Sequence, residues 1–356
     1  MADPAPRLEP GGPLEVIEAR TLFADAPPGR RSAASMVRIE STGRLLMCFS
    51  HVIGVDLRNQ AALVLTRSDD DGATWTEPLA LYAYPGWFSL AMGGLARIAD
   101  DNVKAMLGRI LIDLSLGGTE PMTGWYVAST TTRDAGDSWS DPSPEIRLFP
   151  EWTELYGASN PHPLADGRLL WAVMGTRGRD LGWHAGVSVS DPEGEHIEPP
   201  TIIAQADGRD YSDIDVVRLD DGRFLAVIRE HQTRQSVSST SADEGRTWSP
   251  IQPTPFLGSN IKLFRLRSGA IACAYRDEDP ARRGVSLSVT ADGGSTWSLA
   301  GQLYAAGSDA RHEPGSVCGY PDVVTFPSGE LGVVLHAYPS VAEGTQLHWL
   351  RLRDRT

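Results

Sequence analysis

Three features of the sequence predict an all-β fold: an eight-residue motif repeated four times, hairpin turns between apolar runs repeated six times, and a density of Gly (36) and Pro (25) that breaks long helices. Together they describe a six-bladed β-propeller of four-stranded antiparallel blades, closed by an N-terminal strand that joins the last blade. An apolar content of 41% over 356 residues is enough for a packed core and excludes a disordered chain.

The repeated motif is Ser/Thr-x-Asp-x-Gly-x-Ser/Thr-Trp. It stands at Ser68–Trp75, Thr132–Trp139, Ser241–Trp248 and Thr290–Trp297, with a degenerate copy at Ser190–Ile197 that lacks its Asp and Trp. Asp and Ser/Thr side chains bond to turn backbone, Gly takes a positive φ, and Trp packs between sheets. These residues are read as structural, because a turn repeated around a ring cannot converge on one site.

Between the motifs run the hairpin turns Ser41–Arg44, Ala99–Asn102, Ala165–Arg168, Asp220–Arg223, Arg267–Ala270 and Pro327–Glu330, each separating the first two strands of a blade. In the fourth blade Ile214–Leu219 pairs with Phe224–Arg229, Ser236–Ser241 is the third strand, and a short outer strand lies near Ile251. Val285–Val289 alternates with period two, as a half-buried strand should. The last blade has Val323–Phe326, Leu331–His336 and Gln346–Leu352 but no motif and no fourth strand, so the run Leu14–Phe23 supplies it and removes an open edge. Residues 1–13 are then an N-terminal tail and 14–356 a single domain.

With 32 basic against 46 acidic residues the net charge is −14, which argues against nucleic acid and anionic membrane as partners. Cys48, Cys273 and Cys318 are far apart, so a disulfide scaffold and a zinc ribbon are excluded; Cys48 and Cys273 read as small buried hydrophobes. Neither a metal nor another cofactor is expected. No apolar stretch has the length of a membrane span and no signal peptide is visible, which suits a cytoplasmic or a trimmed secreted chain.

The repeated motifs and blade rhythm resemble the sialidase (neuraminidase) superfamily, whose Asp-box, or BNR, repeats sit in a six-bladed propeller. That resemblance implies a Tyr nucleophile with a carboxylate partner, an Asp acid/base and three arginines on the substrate's carboxylate. The segment Tyr211–Arg229 is similar to the one carrying the carboxylate partner and second arginine. It places those roles on Asp213, where the family usually has Glu, and on Arg229. The segment opening at Arg283 is similar to the third-arginine segment, and Gly319-Tyr320-Pro321-Asp322 resembles the nucleophile segment. The first arginine aligns with Ser32, and Arg31 is one residue away, a slip that turns a strand side chain to the other face unless a bulge intervenes. The loop from His51 to Asn59 makes Asp56 the acid/base candidate, with His51 and Tyr211 as substrate-binding candidates.

The chemistry is coherent. A tyrosine with an ordinary pKa near 10 is a weak nucleophile at neutral pH, so a base such as Asp213 must take its proton. A neutral nucleophile suits an anomeric carbon that bears a carboxylate, and planar guanidinium groups at Arg229, Arg283 and Arg31 suit that carboxylate. The implied partner is an acidic glycan. Two other readings stay open. His51, His162, His184, His231 and His336 lie at strand ends or loops, and with Tyr and Arg they fit β-elimination of a uronate polysaccharide. A non-catalytic glycan-binding propeller would use Trp87, Trp125, Trp152 and Trp183 as stacking faces.

Overall fold

A computed structural model describes residues 6–24, 29–53, 61–112, 122–144, 151, 154–178, 182–205, 208–306, 318–340 and 344–356. The described residues form strands and turns and no helix. Strands β1 (Arg7–Leu8) and β2 (Leu14–Leu22) precede the first antiparallel meander, made of β3 (Gly29–Arg38), β4 (Leu45–Ile53), β5 (Ala62–Ser68) and β6 (Leu79–Ala83). The next comprises β7 (Phe88–Arg97), β8 (Val103–Ile112) and β9 (Met122–Thr132). A third runs through β10 (Glu154–Pro163), β11 (Leu169–Thr176), β12 (His184–Ser190) and β13 (Thr201–Ala204). Then come β14 (Tyr211–Arg218), β15 (Phe224–Glu230) and β16 (Gln235–Ser241), followed by the 14-residue β17 (Gln252–Arg265). β17 serves two meanders: Leu257 pairs with Gln235 of β16, while Gly258 pairs with Asp277 of the following strand, β18 (Ile271–Asp277). The chain continues through β19 (Gly284–Thr290) and β20 (Ser298–Ala305) to a last meander of β21 (Cys318–Thr325), β22 (Leu331–Ser340) and β23 (Gly344–Asp354).

The strand missing from the last meander is β2, which pairs antiparallel with β23 from Leu14↔Asp354 to Leu22↔Leu347, where the orphan N-terminal run was expected. A short strand also lies ahead of β2. Arg7 and Leu8 form β1 and pair with Gln302 and Gly301 of β20, because Leu8 packs against the apolar cluster there. Gly301, at φ +120°, admits this approach; a Cβ would lie 2.4 Å from the Arg7 carbonyl oxygen.

Each meander's second strand is a nearly continuous apolar run, as in β11 (LLWAVMGT) and β15 (FLAVIRE), so both faces are covered by neighbours. The core accordingly lies between successive meanders. Leu46 and Cys48 meet Leu95 and Ala105, Leu170 meets Phe224, Leu225 meets Cys273, Ala272 meets Val333, and Trp349 meets Phe49. The three cysteines are free and buried, and burial pushes the Cys48 thiol up to about 12.

The repeated motif staples these interfaces. Ser68 Oγ donates to Asp70 Oδ1 (2.7 Å) and accepts from Gly72 N (2.8 Å), while Asp70 accepts from Thr74 N (2.8 Å) and Thr74 Oγ1 (2.6 Å). The same bonds recur at Thr132–Ser138, Ser241–Thr247 and Thr290–Thr296. The motif glycines rest on the preceding meander, Gly136 on Leu46, Gly245 on Leu170 and Gly294 on Leu225. In the degenerate copy Asp191 stands one residue early and still accepts from Glu195 N (2.7 Å), so the turn keeps its carboxylate.

The first strand of every meander is bulged. Register shifts fall between Ser32 and Ser35, Ala91 and Leu95, Ala158 and His162, Ser212 and Asp215, Ser259 and Lys262, and Gly319 and Asp322. Immediately after the bulge, one side chain per strand tends to reach the next inner strand. Ser35 Oγ accepts from Leu95 N (3.0 Å), His162 Nε2 contacts Val216 O (2.7 Å), and Asp215 Oδ2 accepts from Leu263 N (2.7 Å). Lys262 Nζ lies 2.8 Å from Asp322 Oδ1, and Asp322 Oδ2 accepts from Met36 N (2.7 Å).

Candidate functional site

The bulges place the site residues. Ala33, Asp213, Asn260 and Tyr320 occupy the same bulge position and share a left-handed backbone, with φ of 52°, 46°, 50° and 47°. Such a conformation costs a non-glycine residue about 1–3 kcal/mol and tends to mark functional positions. Asp and Asn tolerate it best.

Three of these residues join one row of polar side chains across β14, β17 and β21. Asp213 Oδ2 accepts from Arg229 Nη1 (3.2 Å), from Asn260 N (3.1 Å) and, at 3.5 Å, from Asn260 Nδ2. Glu278 Oε1 accepts from Ser259 Oγ (2.7 Å) and lies 4.0 Å from Arg229 Nη2, and its other oxygen is 3.8 Å from Arg234 Nη1. Arg276 donates through Nε to Cys318 O, with its guanidinium carbon 5.9 Å from the centre of the Tyr320 ring. Tyr320 is 42% exposed and stacks on buried His336, ring centres 5.5 Å apart. His336 Nδ1 accepts from Ala33 N (3.4 Å), carrying the row to β3.

Asp213, Arg229 and Tyr320 are thus brought into one row. Arg31 is placed differently: it pairs with His51, two residues before the bulge residue Ala33, at the register of Tyr211, Gly258 and Cys318. Only 4% exposed, its guanidinium is pushed down by burial; burial and the nearby Arg31 charge also lower the His51 imidazole. Arg283 precedes β19, where its carbonyl accepts from Ala306 N (3.0 Å) and its buried Nε has no hydrogen-bond partner among the described residues. Tyr211 is buried between the third and fourth meanders, beside a cavity of 390 Å³ that Glu230, Val237 and Pro253 also line. Asp56 lies outside the described residues, as does Trp152, and nothing is described of the Trp125 side chain. Trp87 packs edge-on to Tyr126 (5.2 Å) in a cluster where the Arg109 guanidinium sits 3.8 Å over Tyr84. Among the described residues no cluster of His, Cys, Asp and Glu could hold a metal ion, and no helix is long and apolar enough to cross a membrane.

Asn260, Arg276 and Glu278 escaped the sequence reading. A signal was present: Gly258-Ser259-Asn260-Ile261-Lys262 repeats the spacing of Tyr211-Ser212-Asp213-Ile214-Asp215 and Cys318-Gly319-Tyr320-Pro321-Asp322 ahead of each hairpin. Aligning first strands with one another exposes it.

The chain resembles proteins of known structure. A protein of unknown function from Dyadobacter fermentans superposes with a TM-score of 0.78 at 17% identity, covering 96% of this chain and 100% of that one. The intramolecular trans-sialidase from Ruminococcus gnavus gives 0.67 at 13% identity, covering 93% and 96%. The alpha-L-arabinanase of Penicillium chrysogenum also gives 0.67, at 14% identity, covering 96% and 98%. None of the curated proteins matches by sequence. The model of the BNR repeat-like domain family matches residues 114–333, more than half of the chain and the stretch that holds three of its four complete motifs. By that match the chain belongs to the BNR repeat-like domain family.

Proposed function

We propose that residues 14–356 form one six-bladed propeller and that it is a sialidase-like glycoside hydrolase acting on an acidic sugar at the centre of the ring. Ring closure is supported by the inner strands, which contact one another in chain order, β3 to β7, β10, β14, β17 and β21, with β21 returning to β3. The observation that carries the functional reading is the row itself: Asp213 and Tyr320 at equivalent strained bulges, with Arg229 and Arg276 alongside.

In this reading the Tyr320 phenol oxygen attacks the anomeric carbon as Asp213 takes its proton. The glycosidic bond breaks, and the leaving oxygen receives a proton from an acid, the role proposed for Asp56. Water then cleaves the glycosyl–tyrosine bond with the protons moving back. Arg229, pinned by Asp213 and Glu278, presents a fixed guanidinium to the substrate carboxylate, and each such charge-assisted bond contributes about 1.5–3 kcal/mol. Arg276 offers the second guanidinium; Arg31 and Arg283 remain proposed members of the clamp, and His51 and Tyr211 proposed wall residues. The relatives named above for trans-sialidase and arabinanase activity support a glycan as partner.

The test is release of the fluorophore from an aryl α-sialoside and from an aryl β-glucuronide. Wild-type turnover of either, abolished in Tyr320→Phe with folding intact, is expected. The Tyr320–His336 stack favours a second reading, β-elimination of a uronate polysaccharide, with one of the pair as base and the other as acid. Growth of near-ultraviolet absorbance from a new double bond, without hydrolysis of either aryl glycoside, would select it. Neither activity, with glycan binding retained, would leave a binding module.

A further inference from the structure

We infer that Arg234 forms a second anion subsite beside Arg229 and receives the acid group of the adjoining sugar, so that the preferred substrate is a glycan with acid groups on successive residues; this rests on the glycosidase reading above.

The loop that leaves β15 beyond Arg229 holds Arg234 in a fixed place. The buried carboxylate of Glu230 accepts from the backbone N–H groups of Gln232 (2.7 Å) and Thr233 (3.1 Å). Gly258 N donates to Arg234 O (3.2 Å), which ties the loop to β17 two residues before Asn260. Arg234 itself has a left-handed backbone, φ 62°, a strained state for a residue other than glycine. Its side chain is 57% exposed, so a ligand reaches the guanidinium directly from solvent.

Glu278 sets the relation between Arg234 and Arg229. Its position is fixed by Ser259 Oγ, which donates to Oε1 (2.7 Å), and by its own N–H, which donates to Leu257 O (2.9 Å). The carboxylate lies 4.0 Å from Arg229 Nη2 and 3.8 Å from Arg234 Nη1. Both distances exceed a hydrogen bond, so Glu278 steers Arg234 by charge and does not occupy its N–H donors. Because Glu278 fills the place between the two guanidiniums, one substrate carboxylate cannot bridge them. Arg234 therefore serves a different acid group from the one proposed for Arg229. The two arginines stand a single carboxylate apart, close enough for acid groups on adjoining sugars of one chain. The planar fork of an arginine fits a carboxylate, and an exposed one here draws an anionic glycan toward the row in a chain whose net charge is −14.

The experiment is calorimetric titration of the full chain carrying Tyr320→Phe, so that bound glycan is not turned over. One pair of probes is a dimer of N-acetylneuraminic acid and sialyllactose, which has one acid group; the other is digalacturonic acid and galacturonic acid. In the pair that binds, the ligand with two acid groups is expected to bind about fivefold more tightly, and high salt should shrink that excess. Adding Arg234→Asn, a residue that tolerates the left-handed backbone, is expected to remove the excess and leave affinity for the ligand with one acid group unchanged. An excess that survives Arg234→Asn, or that is absent before it, overturns the subsite and leaves the acidic-sugar reading standing. Equal weakening of both ligands of a pair also overturns it, because Arg234 would then belong to the first clamp. The expected pattern in a chain that hydrolyses neither aryl glycoside would keep the subsite and overturn the hydrolase. No binding of any of these probes overturns both.

Discussion

Lys262 is held in the interior between carboxylates. Burial opposes its charge, yet Asp322 and Asp215 outweigh that and hold the ammonium above its ordinary range. Removing one partner of a buried pair strands the other, so Lys262→Met should destabilise the fold by about 3–5 kcal/mol in chemical denaturation, and adding Asp322→Asn should recover part of it. His348 titrates in the opposite sense. Burial against Tyr304, with Nε2 unpartnered among the described residues, pushes its imidazole down to about 4. The folded state keeps this ring neutral while the unfolded chain protonates it near 6.5, so its contribution is full above that pH and is lost as pH falls toward 4. The loss reaches about 3 kcal/mol. Denaturation midpoints measured between pH 7 and 4 should fall, and fall less in His348→Phe. At this scale the resemblance of their segments pointed to Asp213, Arg229 and Tyr320, which the fold brings into one row. Asn260 and Arg276 were hidden, because their places in that row depend on which strands lie side by side.

The element that repeats is the Asp-containing turn. Side-chain bonds from Ser138, Thr247 and Thr296 hold the carboxyls of Asp134, Asp243 and Asp292 down to about 2. Groups lowered in this way stabilise the fold above their unfolded value near 3.9 and lose that contribution as pH falls toward 2, a second acid step below the histidine one. The turn's glycine is as constrained as its aspartate. Gly72 has φ +88° and a Cβ there would lie 2.4 Å from the Trp349 ring. Gly72→Ala should therefore cost about 2–4 kcal/mol, read as a lowered melting temperature. These turns were legible because the side-chain bonds that define them join residues within the turn itself. The inner-strand bulges were not, since Ala33, Asp213, Asn260 and Tyr320 share a conformation and no side-chain chemistry. That is why Arg31 could not be assigned a face from spacing alone: the bulge follows it and leaves it opposite His51.

For the whole molecule, the N-terminal strand decides whether the last sheet has an open edge. β2 pairs along β23, with Leu14 and Leu22 buried in the flanking clusters. Deleting residues 1–24 would expose β23 and strip both leucines, so size-exclusion chromatography should show aggregation or intermolecular pairing in place of the native elution position. The missing strand could be read from the sequence because the last unit is visibly one strand short. In the proposed mechanism Tyr320 becomes covalently linked to a sugar bearing an acid group. Incubation with a fluorinated acidic glycosyl fluoride, which forms such a link and releases it slowly, followed by peptide mass mapping, tests this directly. The expected result is one added glycosyl mass on the peptide containing Tyr320, absent in Tyr320→Phe. An adduct on another residue, or steady turnover of aryl glycoside by Tyr320→Phe, would contradict it.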